Sequence, residues 1–304
     1  MATRDGYGKA LAELGEKNPS VVALDADLSC STKTKVFADK FPDRFFNAGI
    51  AEANLIGMAA GLASSGKIAF ASTFAVFATN RCLDQIRVGV AYPKLNVKIA
   101  ATHSGLTVGE DGASHQALED ISLMRALPHM RVVVPADATE AGKAVFAIAD
   151  SDGPFYLRLG RPKVPDLEES KFTLGKANLL RDGSDVTLIA CGYMVHQALA
   201  AADSLKKAGI SARVLNMHTV KPLDEKAVLK AAKETGRIVT CEEHSRIGGL
   251  GSAVAEFLSI TTPTPMRFIG TDDTFGESGQ PDELIKKYGL SGSNIAKAAK
   301  DLMK

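Results

Sequence analysis

The sequence predicts an α/β protein made of two three-layer α/β/α domains, the first on a parallel sheet and the second on a mostly parallel one. Three observations carry this. Apolar runs of strand length alternate with helix-length segments along all 304 residues, the pattern of parallel sheets covered by helices. Hydrophobic residues make up 45% of the chain, yet aromatics only 6% and Trp is absent, which suits an Ala/Val/Leu/Gly-rich α/β core. The stretch Arg161-Pro-Lys-Val-Pro-Asp-Leu-Glu-Glu-Ser170 breaks the alternation with two prolines and a charge cluster, so it reads as a linker.

The elements follow in order. In the first domain, residues 1–165, the pattern predicts a helix near 4–16 and a strand Val21–Asp25. A helix opened by Glu52 and a strand Lys67–Ser72 come next, then a helix from Phe74 to Tyr92 and a strand Asn96–Ala101. A helix Leu118–Leu127, strand Val132–Val134, helix Ala138–Ala149 and strand Phe155–Leu159 complete the unit. Residues 166–184 are linker and hairpin, the hairpin being Phe172–Arg181 running into Asp182-Gly183. The second domain, 185–304, has strands Val186–Ala190, Ala212–Asn216, Ile238–Cys241 and Met266–Phe268. Its helices lie near 194–208, 224–235, 249–260, 281–288 and 292–303. No internal repeat is visible.

Bulk properties exclude several classes. A net charge of +1 gives a nucleic-acid partner no electrostatic support. No apolar run reaches the roughly 18 residues a membrane span needs, and the first residues lack the apolar stretch of a signal peptide. Cys30, Cys82, Cys191 and Cys241 are scattered with no C-x-x-C, which argues against zinc and disulfides and for a cytoplasmic protein.

Glu52 is the most informative residue. It stands at the first turn of a helix that reads as almost wholly buried, with Gly57 and Gly61 spaced four apart for close packing. Burying an unpaired carboxylate is expensive, so Glu52 either caps its own helix or holds a proton for chemistry. Strand Asn96–Ala101 runs into Thr102-His103-Ser-Gly-Leu-Thr-Val-Gly-Glu-Asp111-Gly-Ala-Ser-His115-Gln, a Gly-rich loop carrying two His and two acids. Carboxyl ends of parallel strands are where such sheets bind ligands. A metal is the weaker reading of this loop, because the His spacing with one Asp between matches no familiar ligand set. Phe74 and Phe77, with Asn80 one turn on, are either core or an aromatic wall for a flat heterocycle. Arg158, ending an apolar strand, holds either a phosphate or a structural ion pair. Asp25 and Asp27 close the first strand, ahead of the polar run containing Ser31. Glu243-His244 and the following glycines do not fit a dinucleotide fingerprint, and neither a P-loop nor a hydrolase elbow is present.

Four blocks in this order carry a resemblance: Gly49-Ile-Ala-Glu52, Ser72-Thr-Phe74-Ala-Val-Phe77, His103 through Val108-Gly-Glu-Asp111-Gly-Ala-Ser-His115, and Leu127-Pro-His-Met-Arg-Val-Val-Val-Pro-Ala-Asp137. Together they resemble the pyrimidine-binding domain of transketolase. Val186–Cys241 and the Glu243-His244 to Gly-Gly-Leu-Gly block resemble that family's C-terminal domain. Deoxyxylulose-phosphate synthases share some of these elements, and 2-oxo-acid dehydrogenase E1 β subunits share the plan with a corresponding Glu. Both lack the full His103–His115 spelling. A non-catalytic assembly module is the remaining alternative, although Glu52 and His103 are retained.

The resemblance implies a thiamine-diphosphate-dependent transfer of a two-carbon ketol unit between sugar phosphates, part of pentose phosphate metabolism. It gives Glu52 the aminopyrimidine, with Phe74, Phe77, Asp27 and Asn80 also at the cofactor, although many members carry Tyr where Asn80 stands. It gives His103, Asp111 and His115 the sugar oxygens, and Ser31 and Arg158 the substrate phosphate. The catalytic set is Glu52, His103 and His115, and no metal ligand is expected on this chain. A complete transketolase begins with a diphosphate-binding domain bearing Gly-Asp-Gly, which ligates Mg²⁺. No Gly-Asp-Gly occurs here. The expectation is therefore the C-terminal subunit of a split transketolase, dimeric by itself and α2β2 with an N-terminal diphosphate-binding partner.

Overall fold

The computed structural model describes residues 1–167 and 172–304. The first part of the chain forms α1 (Thr3–Lys17), β1 (Val21–Asp25), α2 (Ser29–Thr32), α3 (Lys35–Lys40), β2 (Phe45–Asn47), α4 (Glu52–Ser64) and β3 (Ile68–Phe74). Then come α5 (Ala75–Asn80), α6 (Leu83–Gln85), a π-helical turn Ile86–Ala91, β4 (Val97–Thr102), α7 (Asp120–Ala126), β5 (Arg131–Val133), α8 (Ala138–Ala149) and β6 (Phe155–Arg158). The second part forms β7 (Asn178–Arg181), β8 (Val186–Ala190), α9 (Met194–Lys207), β9 (Ala212–Asn216), β10 (Thr219–Lys221) and α10 (Glu225–Thr235). It ends with β11 (Ile238–Ser245), α11 (Leu250–Thr261), β12 (Met266–Thr271), α12 (Pro281–Lys287) and α13 (Gly292–Asp301).

These strands make two sheets. The first has seven strands in the order β10-β5-β6-β4-β3-β1-β2, parallel except for β10, which runs antiparallel to β5. The second has five, β12-β11-β8-β9-β7, parallel except for β7 at its edge. Central strands β1, β4, β6, β8 and β9 are buried at every position, as helices on both faces require. The mixed α/β architecture of two mostly parallel sheets is the one the sequence predicts.

Several local expectations are corrected. The helix expected over Phe74–Tyr92 is broken at Arg81 and Cys82, and continues as α6 and the π turn. Phe74 belongs to β3 rather than to a helix. The hairpin over Phe172–Arg181 is not formed: β7 pairs with β9 as a single edge strand. Part of the expected linker, residues 168–171, lies outside the described residues. The short strand β10, from beyond the linker, closes the edge of the first sheet. One hydrophobic cluster accordingly runs from Val22, Leu55 and Ile99 through to Leu215, Val228 and Leu250, so the two halves share apolar core. Helix α4 is also less buried than its sequence suggests. Ala53, Asn54, Gly57 and Gly61 are exposed, and a methyl group added to either glycine would meet nothing within 4 Å. The close packing read from those glycines is therefore not made within this chain. No helix among the described residues is long and apolar enough to cross a membrane.

Candidate active site

The site forms where β1, β3 and β4 end. Strand β3 stops at Phe74 and turns directly into α5, which places Phe77 one turn on. The two rings lie 5.7 Å apart at 17°. Strand β4 ends at Thr102, and His103 follows with a left-handed φ of 56° that throws the chain into the loop. The His103 ring packs on Phe74 at 3.8 Å between centroids, and the His115 ring stands edge-on to Phe77 at 5.3 Å. Sequence positions 74, 77, 103 and 115 thus meet in one aromatic cluster.

Glu52, at the head of α4, is linked to this cluster through Arg81. It is the first helical residue, behind Ala51, and no cap bond to its own helix is formed. Its side chain is 8% exposed, and Oε1 accepts from Nη1 of Arg81 at 2.6 Å. The Arg81 guanidinium lies over the Phe77 ring, 4.1 Å from its centre, and is 53% exposed. The neighbouring Cys82 thiol is pushed up to about 12 by burial and by the Glu52 charge.

A second constellation surrounds His103. Nη1 of Arg4 donates to His103 Nε2 at 3.0 Å and to the Ser31 carbonyl at 3.0 Å. An arginine has no acceptor, so Nε2 must be the bare nitrogen, and Nδ1–H donates to Thr102 Oγ1 at 2.8 Å. The imidazole is held neutral. Burial, then the charges of Arg4, Arg161, His115 and Lys33, push its pKa down to about 3. Arg161 donates to the Val108 carbonyl and to Glu110 at 3.3 Å, with Asp111 at 3.8 Å. Arg4 Nε is buried with no partner among the described residues. Three cations therefore face one imidazole, with a donor to spare.

The loop between His103 and Gln116 is fixed from the second half. Gly105 has φ +79°, and a Cβ there would sit 2.3 Å from the Glu243 carboxyl carbon. That gap lets Glu243, from β11, accept from the Thr107 amide at 2.5 Å. Burial pushes the Glu243 carboxyl up to about 7, against the pull of Arg158 and Thr107. Gln116 donates to the carbonyls of Leu106 and Glu277. Among the described residues there is no cluster of three or more His, Cys, Asp or Glu able to hold a metal ion.

Comparison with known proteins identifies this arrangement. Residues 1–166 match the pyrimidine-binding domain of transketolase, and residues 175–295 match the transketolase C-terminal domain. The chain belongs to the transketolase family. A putative transketolase C-terminal section from Methanocaldococcus jannaschii is 52% identical, over 99% of this chain and 96% of that protein. A 6-deoxy-6-sulfo-D-fructose transketolase subunit from a Clostridium species is 48% identical, over 98% and 94%. A solved structure described as a split gene transketolase, inactive beta4 tetramer, superposes with a TM-score of 0.94 at 53% identity. The match spans 100% of this chain and 98% of that one. Transketolases depend on thiamine diphosphate, and the relatives matched over nearly their whole length are themselves separate sections or subunits.

Within this transketolase fold, the sequence-derived residues do not all gather. Phe74, Phe77, His103 and His115 do, and Glu52 joins them through Arg81. Ser31 joins through its carbonyl to Arg4, and Asp111 through Arg161. Asp27 is exposed, with φ 63°, and pairs with Asn47, while Asn80 donates to Glu119 Oε1 at 2.7 Å. Arg158 lies at the seam between the halves. It is 4% exposed, holds Asp120 through two nitrogens, and donates to the carbonyls of Ala117 and Glu243. Nε and Nη2 are thus committed at the seam between the halves, and among the described residues Nη1 makes no hydrogen bond. Arg4, Lys33, Arg81 and Arg161 were not singled out from sequence. For Arg81 the signal was its i,i+4 spacing from Phe77, and for Arg161 its place just beyond the end of β6. Arg4 and Lys33 had no local signal.

Proposed function

We propose that this chain is the C-terminal subunit of a two-subunit, thiamine-diphosphate-dependent transketolase that moves a two-carbon ketol unit from a ketose phosphate to an aldose phosphate. The observation that carries this reading is the Glu52 carboxylate, buried at the head of α4 and joined to the Phe77 ring through the Arg81 guanidinium. A flat aminopyrimidine needs a carboxyl group for its ring nitrogen N1′ and an aromatic surface to lie on. The pocket already holds a flat, N–H-bearing group, the Arg81 guanidinium, in that position, so the residues fit the ring.

When bound, the cofactor supplies a nucleophilic thiazolium carbon able to attack a ketose carbonyl and carry the two-carbon unit. Glu52 would hold and share a proton at N1′ of the bound ring, the residue's part in the acid–base chemistry that the ring would supply. His103 and His115 line the approach and contact sugar oxygens. His103, held neutral, offers Nε2 as an acceptor when a sugar hydroxyl takes the place of Arg4. Asp111 binds a donor hydroxyl from the loop. The anionic tail of the sugar falls to Arg4, Lys33 and Arg161 beside Ser31, in place of Arg158. The spare Arg4 Nε supports this, because a phosphate oxygen would satisfy it. A sulfonate, as named for the Clostridium relative, is an anion of the same kind.

The chain has no Gly-Asp-Gly and offers no cluster for Mg²⁺ among its described residues. Diphosphate and metal ligands are assigned to a separate N-terminal subunit, giving an α2β2 enzyme on a dimer of this chain. The open glycine face of α4, beside the exposed Ile50, Val88 and Tyr92, supports that dimer. The test is reconstitution with a Gly-Asp-Gly subunit, assayed for ketol transfer between pentose phosphates and for pyruvate consumption. Ketol transfer alone is expected. Pyruvate consumption without transfer would assign the chain to another thiamine-diphosphate enzyme.

A further inference from the structure

Arg81 is not an incidental neighbour of Glu52. Its one hydrogen-bond partner among the described residues is Glu52 Oε1, and its guanidinium is stacked on Phe77. It reaches both from the solvent side, half exposed, just beyond the end of α5. A buried carboxylate without a counter-charge is unfavourable, and Arg81 supplies that charge without being buried itself. A guanidinium and an aminopyrimidine are alike in the features that matter here. Both are planar, both stack on an aromatic face, and both present N–H or a protonated nitrogen edge to a carboxylate. They cannot hold Glu52 Oε1 and the Phe77 face together.

We propose that Arg81 is a positioning residue that fills the pyrimidine pocket of the unliganded chain, keeps the Glu52 side chain paired and aimed, and swings out to solvent when the cofactor ring enters. This rests on the function proposed above. Leaving breaks one ion pair and one stacking contact and disturbs no other hydrogen bond of Arg81 among the described residues. The positive thiazolium of the incoming cofactor favours that departure, since two cations would otherwise share the pocket. The same contact keeps the carboxylate covered in a chain that has not met its partner subunit.

The test is calorimetric titration of the isolated chain with thiamine, which lacks the diphosphate and so does not depend on the missing metal site. Arg81→Ala is expected to bind thiamine about ten-fold more tightly than the native chain, the gain from freeing a pocket that is about nine-tenths self-occupied. Arg81→Lys keeps the charge but loses the planar fork, and should fall between the two. If Arg81→Ala folds poorly, Arg81→Gln should show the same gain. A merely structural Arg81 would lower the melting temperature and leave thiamine affinity unchanged or weaker, and that result overturns the proposal. Binding of thiamine diphosphate by the reconstituted two-subunit complex is the control. If the complex binds and the variants show no gain, the Arg81 proposal alone fails. If the complex does not bind, the pyrimidine-pocket reading fails with it.

Discussion

At Glu52 the packing and the chemistry can be separated by one substitution. Glu52→Gln is almost isosteric and keeps the site filled, but it cannot share a proton with a ring nitrogen. In the reconstituted enzyme it should lower kcat by about 10²–10⁴, the usual cost of losing such assistance, with little change in melting temperature. If Glu52 serves only as the ion-pair partner of Arg81, kcat stays near normal and stability falls instead. Glu52 was legible because a charge before a run of small apolar residues is anomalous. Arg158 shows the opposite case. Its place at a strand end is equally consistent with a phosphate ligand and a buried ion pair, and the structure supplies the ion pair, with Asp120. Arg158→Ala leaves Asp120, whose pKa burial would raise but Arg158 holds low, without its partner. The expected cost is about 3–5 kcal/mol in urea unfolding. Arg161→Ala, by contrast, should raise KM for phosphorylated sugars well above its effect on unphosphorylated ones. Equal effects would remove Arg161 from the anion site.

Among the elements, the long central strands and amphipathic helices were readable because burial on both faces leaves continuous apolar runs. Short elements were not. Three-residue β10 has no period to detect, and its pairing with β5 is set by the other half of the chain. The break after α5 was hidden because the segment keeps a helical pattern, while Arg81 is drawn off to Glu52. Helix α8 shows how elements are tied across the seam. Asp137 caps it by accepting from the Glu140 amide, and Glu140 accepts from the Ala136 amide and, at 2.8 Å, from Asn216 of β9. Burial, outweighing these hydrogen bonds, pushes Glu140 up to about 7. The folded chain then binds a proton at Glu140 that the unfolded chain has released. The resulting stability is fully present below the ordinary carboxyl pKa of about 4.3 and is lost as pH rises to about 7. Urea midpoints should therefore fall from pH 5 to pH 7.5 in the native chain more than in Glu140→Gln. An identical fall in both would show that Glu140 does not set this dependence.

At the scale of the whole molecule, the site is assembled by both halves. Glu52, Phe77 and His103 come from the first half of the chain, while Glu243 of β11 pins the loop that carries His115. Sequence could place the blocks in order, but not show that the second half holds the first half's loop, since that contact spans 136 positions. On the proposed function the pocket offers the cofactor a carboxylate and an aromatic face and the sugar an anion site, and the sequence contains no Gly-Asp-Gly. On the proposed function this chain supplies only the pyrimidine half of the cofactor site. The most direct measurement is calorimetric binding of thiamine diphosphate with Mg²⁺, to the chain alone and to the chain mixed with a Gly-Asp-Gly subunit. Weak, Mg²⁺-independent binding to the chain alone is predicted, becoming tight and Mg²⁺-dependent with the partner, together with the appearance of ketol transfer. Tight, Mg²⁺-dependent binding to the lone chain would contradict it.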